Sequence, residues 1–72
     1  MKSLDARLLD AHERDDKGAL VALYAEAARA ANEDTARGFF LTHAYVFALE
    51  LGHPDAPGLR QQLIEMGRET PL

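Results

Sequence analysis

The sequence predicts an all-α fold, a small bundle of four antiparallel helices around one central hydrophobic helix. Three observations predict it. The run Phe39–Leu51 (FFLTHAYVFALEL) is interrupted only by Thr42, His43 and Glu50. As a helix it is apolar nearly all round, so it needs cover on several sides. The segment before it places Leu20, Leu23, Tyr24, Ala27 and Ala31 at i, i+3, i+4, i+7 and i+11, which is a helical face and not a strand alternation. Short breaks rich in Asp, Asn, Gly and Pro divide the chain into four segments, at about 3–14, 18–31, 35–51 and 56–67.

Each segment carries its own punctuation. Ser3 is placed to cap the first, with Leu4, Leu8 and Ala11 on one face and Asp5 in the first turn, where the helix dipole favours a carboxylate. The break Asp15-Asp16-Lys17-Gly18 follows, and Asp16 is the N-cap of the second segment. That segment is alanine-rich, which favours helix and lets neighbouring backbones approach closely. Glu26 and Arg29 are spaced to pair at i, i+3 on its exposed side. After Asn32-Glu33-Asp34-Thr35, with Asp34 or Thr35 as cap, the third helix runs to Gly52, and Pro54 two residues later reinforces the stop. Asp55 caps the fourth helix, with Pro57 in its first turn and Leu59, Leu63, Ile64 and Met66 as its apolar side. Gly67 ends it, and Arg68–Leu72 reads as a frayed tail. No stretch reads as a strand, and the 72 residues form one domain.

A chain this short has little stability to spare. Below about 80 residues a single core rarely supplies more than ~3–5 kcal/mol, and with no cysteine there is no disulfide to help. Stability has to come from close helix packing or from a partner that covers leftover apolar surface. The missing cysteines also remove zinc-finger, thiol-redox and cysteine-nucleophile chemistry, and they fit a reducing compartment. Twelve acidic residues against eight Lys and Arg give a net charge of −4, and the basic residues are scattered, so no nucleic-acid partner is expected. The N-terminal stretch turns polar within a dozen residues and is not a signal peptide. The apolar run is short of the ~18–20 residues that span a bilayer, so no membrane association is expected either. A cytoplasmic protein is the expectation.

The three histidines are candidate ligands. Phe39, His43, Val46, Glu50 and His53 step by four and three residues and form one stripe along the third helix. Glu50-x-x-His53 has the carboxylate–imidazole spacing of di-metal bundles, but those sites need two such motifs and further glutamates. His43 lies about 10 Å along the axis from Glu50, too far to share one ion. The stripe is therefore read as the least buried edge of a core helix, with no metal and no cofactor. His12 and Asp16, with Asp10, Glu13 and Asp15, read as a solvated acidic face and cap. There is no glycine-rich phosphate loop and no nucleophile elbow. Ser3, the only serine, lies in a first turn, so no catalytic residues are assigned and no enzyme is expected. Phe39, Phe40, Tyr45 and Phe47 point in different directions round one helix, and in a four-helix unit one of those directions lacks cover, which marks a partner surface.

Two stretches resemble tetratricopeptide-type helical hairpins. Leu20-Val21-Ala22-Leu23-Tyr24-Ala25-Glu26-Ala27 is similar to a first repeat helix, and the segment from Ala44 to Ala56 (AYVFALELGHPDA) resembles the end of a second, with its aromatic-x-x-Ala spacing and following proline. The resemblance covers about half the chain. It departs from the repeat in lacking tryptophan and the Leu-Gly pair of the first helix, in its longer hairpin, and in holding about one and a half repeats where an array needs about three. It implies a right-handed stack of antiparallel helices and peptide or protein binding, and no catalytic residues.

The leading expectation is a protein–protein interaction module, an adaptor or small subunit of an assembly. Phe39, Val46 and Tyr24 are the expected apolar anchors, with His43 supplying a polar contact. A homodimer is the simplest version. A second class is a small regulatory protein, antitoxin-like or a transcription modulator, acting by protein binding. A third is a metal- or ligand-binding bundle using His43, Glu50 and His53.

Overall fold

The computed structural model describes residues 3–67, so the tail over 68–72 lies outside the described residues. Four helices follow one another: α1 (Leu4–Glu13), α2 (Lys17–Ala30), α3 (Asp34–Leu51) and α4 (Ala56–Glu65). No strand occurs among the described residues.

The helix ends show how local chemistry sets the boundaries. Ser3 Oγ accepts from the Ala6 N–H at 3.2 Å, and Asp16 Oδ1 accepts from the Ala19 N–H at 3.1 Å. Both satisfy amide donors that a first turn otherwise leaves open. The third helix corrects the expected cap. Its N-cap is Glu33, which makes no side-chain cap bond. Asp34 is already helical, and its carboxylate is taken by Arg37 at 3.0 Å. The same guanidinium reaches the Ala31 carbonyl at 3.3 Å, so an arginine one turn in closes this end. Asp55 is the N-cap of α4 but also makes no side-chain cap bond; its own N–H donates to His53 Nδ1 at 3.0 Å. Gly52, at φ +64, ends α3 as expected, and the His53 N–H returns to the Ala48 carbonyl at 2.8 Å. A similar wrap joins α1 to α2 without glycine: Asp15 has φ +52, and the Asp16 N–H bonds to the Ala11 carbonyl at 2.9 Å. α4 stops at Glu65, two residues before the expected end, with Gly67 at φ +73 just beyond it.

Packing follows chain order. α1 lies on α2, α2 on α3 and α3 on α4, and no other pair of helices packs backbone to backbone among the described residues. The result is a slab of 38 × 28 × 13 Å. Its core has two parts. Ala11, Leu20 and Leu23 fill the α1–α2 side, and Val21, Ala28, Leu41, Ala44, Ala48, Ala56, Leu59 and Leu63 fill the space between α2, α3 and α4. Tyr24 and Phe47 pack against both parts and tie them together.

Half of the twelve buried apolar residues are alanine, and Ala11, Ala44 and Ala48 are fully buried. Methyl-sized faces let α2 and α3 approach closely, and a close-packed interface has little slack for added volume. Ala44→Leu is therefore expected to lower stability by about 1–3 kcal/mol, an overpacking cost. Urea unfolding followed by circular dichroism measures it.

Candidate functional site

Four of the five aromatic residues, Tyr24, Phe39, Phe40 and Phe47, gather along the seam where α1 and α3 flank α2. Tyr24 projects from α2 into this seam. Its ring stacks on Phe47 of α3 at 6.0 Å and 15°, and lies 6.3 Å from Phe40 and 5.0 Å from His43. Its hydroxyl lies 2.8 Å from His12 Nε2 of α1. The His12 ring in turn meets Phe47 edge-on at 6.0 Å. The seam thus has a half-buried aromatic floor whose polar atoms are bonded.

Phe39 and Val46 form its outer α3 wall, 54% and 46% exposed. His43 sits between them, its ring 4.3 Å from Phe39. His43 Nδ1 lies 2.9 Å from the Phe39 carbonyl. A carbonyl only accepts, so Nδ1 carries the proton in this contact. Thr42, His43, Val46 and Phe47 line a dimple of about 170 Å³ on this surface. The structure therefore brings Phe39, His43, Val46 and Tyr24 into one patch.

Sequence reasoning missed three neighbours. His12 was assigned to a solvated acidic face, yet it bonds Tyr24, twelve positions away; no local spacing signals that contact. Phe47 was counted among the packing aromatics and not placed in the seam. Leu9, 61% exposed, lies off the Leu4–Leu8–Ala11 face of α1 and shares a side of the helix with Asp5 and the seam residue His12, at i, i+4 and i+7.

Glu50 and His53 of the α3 stripe are engaged separately. Glu50 pairs with Lys17 at 3.0 Å and closes one end of the seam. Each charge alone faces an unfavourable helix end, Lys17 at the start of α2 and Glu50 in the last turn of α3, and pairing offsets both. His53 Nδ1 accepts from the Asp55 N–H. No three His, Asp or Glu side chains converge as a metal site would need among the described residues. The expected Glu26–Arg29 pair is also replaced: Glu26 binds Arg7 of α1 at 2.8 Å, because α1 lies within reach of that face. No described helix is long and apolar enough to cross a membrane.

The chain matches no protein-family model, no curated protein and no solved structure.

Two measurements check this geometry. Tyr24→Phe removes the hydroxyl that joins α2 to His12, with an expected loss of about 0.5–1.5 kcal/mol in urea unfolding. The second concerns pH. The Glu50 side chain, first by its hydrogen bond and then by its charge, holds the Lys17 pKa above its ordinary 10.5. A group whose folded pKa is raised stabilises the fold below its unfolded value and ceases to do so as pH rises through the folded one. Glu50→Gln should accordingly be less stable than the parent at neutral pH, and the two should converge at alkaline pH beyond 10.5. Denaturation midpoints over a pH series report it.

Proposed function

We propose that the chain is a small, non-catalytic protein–protein interaction module of the cytoplasm, an adaptor or small subunit that binds a protein or peptide through the α1–α3 seam. One observation carries the reading. Phe39 and Val46 stand half exposed on one ridge of α3, beside an aromatic floor held in place by hydrogen bonds and ring contacts. Exposed large apolar side chains grouped on one face mark an association surface, whereas scattered ones do not. Aromatic anchors on a fixed support lose little conformational freedom on binding, which favours affinity.

Phe39→Asp is the test. Phe39 is 54% exposed and touches only the half-buried rings of Phe40 and His43 among the ring contacts, so the variant should keep its far-UV circular dichroism, with at most a small drop in its unfolding midpoint. It should lose association: a dimer seen by light scattering across a dilution series should become a monomer, or a copurifying partner should be lost. Association unchanged in both Phe39→Asp and Val46→Asp would sink the proposal.

A further inference from the structure

The charges around the seam say what kind of partner suits it. Asp5 and Glu13 lie on the exposed side of α1, one on each side of Leu9 at i, i+4 and i+8. Neither has an ion-pair partner among the described residues, whereas Arg7, Arg14, Lys17 and Arg37 are all paired. Glu13 is the last residue of α1, against the negative end of the helix dipole, and Asp15 follows in the turn. A cation from outside would relieve this repulsion. No unpaired cation lies on α1 or α3 among the described residues to do so.

We infer that the α1–α3 seam receives a basic amphipathic helix of a partner protein. The inference rests on the interaction reading above and adds the chemistry of the partner. The apolar face of that helix lies over Leu9, Phe39, His43 and Val46, and its lysines or arginines reach Asp5 and Glu13. The dimensions agree. Asp5 to Glu13 spans about 12 Å of helix and Phe39 to Val46 about 10 Å, so a partner helix of some three turns covers both. Helix-in-groove recognition needs anchors spaced along one side, as these are. A second copy is the poorer occupant. Each copy carries a net charge of −4, and among the described residues its α1 and α3 faces hold no unpaired cation to meet Asp5 and Glu13.

The experiment titrates the isotope-labelled full chain, at about 0.15 M salt, with three synthetic amphipathic peptides of about four turns. All three carry the same leucine face; their polar positions are lysine, glutamine or glutamate. The lysine peptide is expected to bind saturably, with amide shifts centred on Leu9, Phe39 and Val46, and the glutamate peptide not at all. Asp5→Lys with Glu13→Lys should weaken the lysine peptide by about tenfold or more, and Val46→Asp should abolish binding with the circular dichroism unchanged. Equal binding of the lysine and glutamine peptides, unaffected by the charge reversals, would overturn the basic partner and leave the docking seam standing. So would a second copy occupying the seam. Lysine-peptide binding that Val46→Asp leaves unchanged would reduce it to attraction by net charge and overturn the inference. Should no peptide shift a seam residue while Phe39→Asp also leaves association unchanged, both the inference and the interaction reading would fall.

Discussion

The structure depends on the closeness of α2 and α3. Ala28, Ala44 and Ala48 meet across that interface with almost no exposure, and methyl groups leave no room between the backbones for rings. A chain of this size has few large residues with which to fill a core, and it fills the centre with small ones. The consequence is geometric. Phe39, Phe40, Tyr24 and Phe47 are displaced to the margin of the α2–α3 contact, where α1 meets Tyr24 and Phe47 through His12 and the cluster around Ala11. Close packing at the centre and an aromatic seam at the edge are two results of one choice of side-chain size.

Much of this was legible in the sequence because it is local. Ser3, Asp16 and Gly52 act within four or five residues of themselves, and each does what its type and position require. The α3 ridge was legible for the same reason: residues 39, 43 and 46 share a face in any helix, whatever surrounds it. The misreadings are all long-range or competitive. Asp34 failed as a cap because Arg37 competes for its carboxylate, and Glu26 left Arg29 for Arg7, nineteen positions away. His12 looked like part of an acidic, solvated face, because its partner is a hydroxyl on the next helix. Spacing rules describe one helix at a time, and these contacts exist only once two helices are placed side by side.

The slab shape accounts for the amount of apolar surface left over. Each inner helix has two neighbours and each terminal helix one, so no ridge is enclosed on all sides. The expectation that Phe39–Leu51 needs cover on several sides is met on the α2 and α4 sides only. Leu49 and Leu51 remain exposed along with Phe39 and Val46. They fall on different sides of α3, Val46 toward the seam and Leu49 toward α4.

Two apolar surfaces flank α3, and their physics differs. Toward α4, Tyr45, Leu49, Pro57 and Ile64 line a shallow groove of about 430 Å³, the larger of the two. Size alone would favour it. No ring–ring contact fixes its one aromatic residue, Tyr45, among the described residues, whereas the smaller α1–α3 surface has a floor of rings in mutual contact, anchored to α1 through His12 and Tyr24. Binding costs the freedom of every side chain it immobilises, about 0.5–1.5 kcal/mol each. A surface whose rings are already held loses less of that freedom, and one bordered by unsatisfied carboxylates also discriminates among partners by charge. On these grounds the proposed recognition surface is the smaller seam with its rings in mutual contact, and the larger groove is the kind of apolar margin any open helical slab leaves at its end.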